Sequence, residues 1–162
     1  MAAVGRGGRV ARDGALPLAA DRQQPATRLH SQLDFGATSL ASKIKGREPV
    51  RIHPQDAAAR GIKNGDIVRL YNDRGACLAG AVLSDALRAG VVQLSTGAWY
   101  DPEDSAAETP FCVHGNPNVL TRDAGTSRLA QGCTGQLCLV EIERFDDALP
   151  PVKAFDPPPG GS

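Results

Sequence analysis

Between residues 50 and 95 the chain runs twice through the same short unit: strand, corner closed by glycine, strand. In the first pass Val50, Arg51 and Ile52 lead into a short helix over residues 54–61, with Pro54 at its first turn and Gly61 at its stop. Asn64-Gly65 then marks a tight turn. Residues 66–72 alternate, with Val68 and Leu70 on one face and Ile67, Arg69 and Tyr71 on the other. In the second pass residues 77–83 form a small, apolar strand after the reversal at Asp73-Arg74-Gly75. Residues 84–90 are expected to form a short capped helix closed by Gly90, and Val91 to Ser95 follow as a strand. Elements this short exclude a helix bundle and a doubly wound sheet. Many short strands with brief helices at the corners argue for a closed, mainly β barrel.

A last strand is expected over residues 137–145, with Cys138, Val140 and Ile142 facing inward and Leu139, Glu141 and Glu143 outward. Residues 97–136 show little period, and a stretch of that length inside a small domain points to functional loops. The ends have a different composition. Residues 1–22 are rich in Gly, Ala and Arg and are expected to be a disordered or non-native leader. Residues 148–162 form a Pro/Gly-rich tail, and proline removes the donor that a helix or central strand would need. The folded domain is therefore expected over residues 23–147.

Charge and cysteine content narrow the partners. With 18 Lys+Arg against 18 Asp+Glu the 162-residue chain has no formal net charge, so it lacks the field of a protein that tracks nucleic-acid phosphates. No apolar run has the length of a membrane helix, and the N-terminus has neither the apolar stretch of a signal peptide nor an Arg-Arg pair. Cys77, Cys112, Cys133 and Cys138 include no Cys-x-x-Cys pair, which argues against zinc and for four reduced thiols in a cytoplasmic protein. No nucleic acid, membrane or metal site is expected.

Neither a G-x-G-x-x-G nor a P-loop motif occurs, so a phosphate-bearing ligand needs another cradle. Two polar clusters offer one. The first, over residues 23–32, holds Gln24, Arg28, His30, Ser31 and Gln32. The second runs from His114 through Asn116 and Asn118 to Gly135 and Gln136. Amides, hydroxyls and glycine-exposed backbone groups suit the edge of a pterin or purine and its phosphates. The same residue types also build ordinary loops, and a histidine in such a loop is commonly a hydrogen-bonded structural residue. Trp99 could stack on a ligand or plug a barrel mouth. Arg74 could reach a phosphate or serve only its turn. No activated nucleophile or carboxylate pair is identifiable.

Several segments together resemble a known family. They are residues 24–33 (QPATRLHSQL), 41–54 (ASKIKGREPVRIHP), 56–62 (DAAARGI), 64–68 (NGDIV), 72–75 (NDRG), 97–101 (GAWYD), 118–121 (NVLT) and 125–132 (GTSRLAQG). This combination resembles the C-terminal region of molybdopterin oxidoreductases. It is nearest the branch containing biotin sulfoxide reductase and the dimethyl sulfoxide and trimethylamine N-oxide reductases. The resemblance implies a double-psi β-barrel, similar to the aspartate decarboxylase fold, that binds molybdopterin guanine dinucleotide. Gln24, Arg28, His30, Ser31, Gln32, Asn118, Gly135 and Gln136 are the implied cofactor contacts.

The part of the family that supplies the protein ligand to molybdenum has no counterpart here, so no catalytic residue or metal ligand is expected. The implied partners are the catalytic domains or subunit of a molybdenum reductase, and the isolated domain is expected to self-associate through the surface they would cover. The alternative is a non-catalytic docking barrel for a protein partner.

Overall fold

The computed structural model describes residues 17–103, 111–129, 132 and 137–157. Six strands close on themselves: β1 (Leu18–Gln23), β2 (Pro49–Ile52), β3 (Ile67–Tyr71), β4 (Ala76–Leu83), β5 (Val91–Ser95) and β7 (Leu137–Arg144). Around the wall their order is β2, β5, β1, β7, β3, β4, and a β2–β4 pairing completes the circle. A two-residue strand, β6 (Phe111–Cys112), lies outside this ring against β4. Two pairs in the ring, β1/β5 and β2/β4, are parallel and the remainder antiparallel. This is the expected double-psi β-barrel. One edge of β4 is shared, with Gly80 to Leu83 meeting β2 and Ala76 to Cys77 meeting β6.

The period-2 reading of β3 and β7 holds. Val68, Leu70, Val140 and Ile142 are buried with Val50, Ile52 and Leu94 in one apolar core, while Arg69 and Glu143 pair on the outer face at 2.7 Å. The first corner is the expected short helix, α2 (Pro54–Ala58). His53 Nδ1 accepts from the Gln55 amide at 3.2 Å. The left-handed Gly61 ends the helix, with Ile62 N donating to Ala57 O at 2.9 Å and Gly61 N to Ala58 O at 3.2 Å.

Three expectations change. Residues 84–90 form turns, not a helix: Val91 N donates to Arg88 O, and Gly90 N is taken at 2.7 Å by the Asp56 carboxylate of α2. One corner is thus stitched to the other. Residues 18–22 are not leader, because they form β1, which lies between β5 and β7. The charges there do not enter the core: Leu18 and Ala20 face inward, Asp21 accepts from Gln93 on the outer face, and Arg22 reaches the barrel mouth. Residues 149–157 do lack helix and strand, yet part of this segment is fastened to the domain. Asp101 accepts from the amides of Lys153 and Ala154 at 2.5 and 3.0 Å, Arg47 donates to Pro150 O, and Phe155 packs edge-on against Trp99 and His114. A helix that the sequence reading did not propose, α1 (Ala37–Ser42), follows the first polar cluster.

Candidate functional site

The barrel's parallel pair β1/β5 ends side by side, and the loops that leave it carry the first polar cluster. Thr96 N and Oγ1 both donate to Gln23 O, at 2.8 and 3.2 Å, and so join the two exits. Beyond them the loop 24–36 folds tightly over the loop 96–101. Trp99 Nε1 donates to Ser31 O at 2.9 Å, and a Cβ on Gly97, whose φ is +90°, would lie 1.8 Å from His30 O. Only glycine permits this approach. His30 itself is held at φ 51°, a left-handed conformation that a side-chain-bearing residue adopts at a cost of about 1–3 kcal/mol.

The second cluster reaches the same mouth. Asn116 Nδ2 donates to Ala98 O at 2.9 Å and its Oδ1 accepts from Asn118 N at 2.8 Å, opening a 3-10 turn over Pro117–Leu120. Arg22, at the end of β1, donates to Asn118 Oδ1 at 2.7 Å and ties the two clusters together. Arg74 serves its turn through Asn72 Oδ1 and also donates to Leu120 O at 2.9 Å, so it braces the Asn118 turn from the other side.

Gln24, His30, Ser31, Gln32 and Asn118 are exposed around this mouth. Arg28 is not: its side chain is fully buried. Its guanidinium lies 3.1 Å from Glu48 and 3.4 Å from Asp34, and donates to Ser39 Oγ and Thr96 O. It therefore holds the loop from beneath, because the nearby buried carboxylates draw it inward. Gly135 and Gln136 lie outside the described residues.

Asp34, Lys43, Glu48 and His114 complete a buried network that sequence reasoning missed. Lys43 Nζ meets Asp34 at 2.8 Å and Glu48 at 3.0 Å, with all these side chains 0–1% exposed. Asp34 also accepts from Trp99 N at 2.9 Å, and His114 Nδ1 lies 2.9 Å from Trp99 O. Burial pushes the Asp34 carboxyl up, but Lys43, the Trp99 amide and Arg28 outweigh it, leaving it below its ordinary range. His114 is pushed down, by burial first and by Lys43 second, and is favoured neutral. Buried charge of this kind persists only when paired, so the network fixes one arrangement of the loops above it. The available signal for it was slight: Gly115, at φ +94°, lets the His114 loop pass within 2.6 Å of the Glu48 side chain at the position a Cβ would occupy.

Against known proteins, the family described as Molydopterin dinucleotide binding domain matches residues 19–139. The chain belongs to that family. It is 52% identical over 145 residues to the trimethylamine-N-oxide reductase of Haemophilus influenzae, a match covering 88% of this chain and 17% of that protein. Trimethylamine-N-oxide reductase 1 of Escherichia coli K12 is 49% identical over 137 residues, 84% of this chain and 16% of that one. The chain thus spans about a sixth of the length of these relatives. Among solved structures, acetylene hydratase from Pelobacter acetylenicus shares the fold at a TM-score of 0.62 and 13% identity, over 80% of this chain and 18% of that one.

The exposed amide, imidazole and hydroxyl groups of Gln24, His30, Ser31, Gln32 and Asn118 at the mouth have the donor and acceptor chemistry that a polar, phosphate-bearing ligand uses. Arg22 Nε and Thr27 Oγ1, beside or within the first cluster, are buried without a hydrogen-bond partner among the described residues. No group of His, Cys, Asp and Glu among the described residues has the arrangement of a metal site, and no helix among them is long and apolar enough to cross a membrane.

Proposed function

We propose that this domain binds molybdopterin guanine dinucleotide at the mouth formed by residues 24–32 and Asn118, as the C-terminal domain of a molybdenum reductase acting on sulfoxides or N-oxides. The observation that carries this reading is the convergence of both polar clusters on one mouth, tied through Arg22 and Asn118. Gln24, His30, Ser31, Gln32 and Asn118 are the contacting residues, and Gly135 and Gln136 are kept from the family resemblance. Arg28 acts through the loop it anchors. When bound, the cofactor supplies molybdenum for two-electron oxygen-atom transfer. This chain's share is to hold and orient the dinucleotide, with bond making left to protein outside it.

Leu29, Leu33 and Phe35 flank the first cluster and are 61%, 65% and 52% exposed, which supports contact of this rim with the catalytic body of the reductase. The same rim is the observation in favour of the second reading, a docking barrel for another protein. The free thiols of Cys77, Cys112 and Cys138 support a cytoplasmic location.

The test is an amide NMR titration of the full chain with GMP and with extracted cofactor. The backbone signals of His30, Ser31, Gln32 and Asn118 are expected to shift together. If they stay still while signals elsewhere move, the site lies elsewhere.

A further inference from the structure

We propose that Gln24 fixes His30 in its Nε2–H tautomer, so that the imidazole offers the bound dinucleotide a hydrogen-bond donor and selects an acceptor oxygen. The ligand half of this inference rests on the functional reading above; the tautomer half does not.

One atom of this clamp has a polarity that is not open to choice. The His30 backbone N–H can only donate, and it lies 3.0 Å from Gln24 Oε1. The atom of the Gln24 amide facing it must therefore be the oxygen. That orientation turns the NH2 group toward the ring, where Nε2 of Gln24 lies 2.8 Å from His30 Nδ1. An NH2 group has hydrogens to give and no lone pair to offer. His30 Nδ1 is consequently the acceptor, and in the neutral ring the proton resides on Nε2.

The rest of the loop keeps this clamp in place. The Gly97 approach holds the His30 carbonyl, Trp99 Nε1 holds that of Ser31, and the left-handed backbone of His30 brings its amide and ring to one Gln24 side chain. The same logic sets Asn118. Arg22 can only donate, so Asn118 turns its oxygen inward to Arg22 and leaves its NH2 as the group on offer. One residue of each cluster, His30 and Asn118, is therefore left with a donor to offer. A donor-bearing mouth suits phosphate oxygens or the carbonyl of a nucleobase and mismatches an amino edge.

The chain's three histidines make the ring readable by two-bond proton–nitrogen NMR of the nitrogen-15-labelled full chain, recorded where the rings are neutral. His30 is expected to show an unprotonated Nδ1 and a protonated Nε2. In Gln24→Glu the carboxylate offers only lone pairs, and His30 is expected to switch to Nδ1–H. Gln24→Ala is expected to give a mixture of both forms, and since Gln24 is exposed both variants should keep the wild-type amide pattern elsewhere.

Inorganic pyrophosphate and guanosine are then titrated separately to tell phosphate oxygen from base carbonyl. Guanosine is uncharged, so about tenfold weaker binding of it to Gln24→Glu reads the loss of roughly one hydrogen bond; the added carboxylate repels pyrophosphate whatever the tautomer, and for pyrophosphate the readout is the His30 perturbation in the wild type. An Nδ1–H ring in the wild type, or an unchanged ring in Gln24→Glu, overturns the inference and leaves the functional reading standing. The stated tautomer in a ring that neither ligand perturbs overturns the ligand half and counts against the functional reading with it.

Discussion

The wall of the barrel and the network beneath its mouth are equally dry but are fastened by different forces. In the wall, Val50, Ile52, Val68 and Leu70 are wholly buried and Leu94 nearly so, all apolar, each contributing about 1.5–3 kcal/mol through removal from water. At the mouth, Arg28, Asp34, Lys43, Glu48 and His114 are buried just as deeply yet are charged or polar. Apolar burial has no direction, so many side-chain sets of the right period would build the wall. Ion pairs and hydrogen bonds do have direction, and each group at the mouth is tolerable only while its partners stay where they are. The contrast suggests a division of labour in which the wall provides stability and the mouth provides a unique loop geometry.

The sharpest way to break the contrast is to remove one member from each side. Asp34→Ala leaves Lys43 and Arg28 with a single buried carboxylate between them and should lower unfolding free energy by about 3–5 kcal/mol. It also removes the acceptor of the Trp99 amide, so the fluorescence of the folded protein should change. Leu70→Ala should cost about 2–5 kcal/mol through the cavity it leaves, with the Trp99 spectrum unaltered. Urea unfolding followed by both fluorescence and circular dichroism separates the two. Equal spectral effects would mean that the mouth is not independently specified.

This contrast also explains what could be read from the sequence. Val68/Leu70 and Val140/Ile142 were legible as inward faces because strand period is a local property. The polar run over residues 23–32 was legible as a cluster, but Arg28 within it was assigned outward. Nothing local says that Asp34, Lys43 and Glu48, each an ordinary surface residue type, will close beneath it. Asp21 and Arg22 fell within the expected leader because nothing local shows that β1 ends at Gln23, at the mouth, where Arg22 meets Asn118. The expected helix over residues 84–90 failed because Asp56, more than thirty residues upstream in α2, takes the Gly90 amide.

A smaller effect is expected at the fastening of the tail. Phe155 has ring centroids 5.5 Å from Trp99 and 5.0 Å from His114, and Phe155→Ala should lower stability by about 1–2 kcal/mol while broadening the amide signals of residues 97–101. Unbroadened signals would show the strap to be a passenger.

The smallest effect is a pH dependence confined to the mouth. His114 is held below its ordinary value near 6.5, so the unfolded chain takes up its proton first as pH falls. Its contribution to stability is complete above about pH 6.5 and is lost as pH drops toward the folded-state value, with a slope of at most about 1.4 kcal/mol per pH unit for one group. Asp34, held below its ordinary value of 3.8, adds a second loss only below that pH. Urea titrations at a series of pH values, compared between wild type and His114→Phe, should show the first slope vanish in the variant. A persistent slope would assign it to another group.

Finally, β1 has a mechanical consequence. It is a six-residue rod, about 20 Å long, gripped on both sides by β5 and β7. Its far end lies at Leu18 beside the Gly90 corner; its near end, at Gln23, opens into the polar loop 24–36. Gripped along both edges, the strand moves as a unit, so a displacement at its Leu18 end would reach the loop that begins at Gln24. The strand is thus both a part of the wall and a rigid link between the Gly90 corner and the polar mouth.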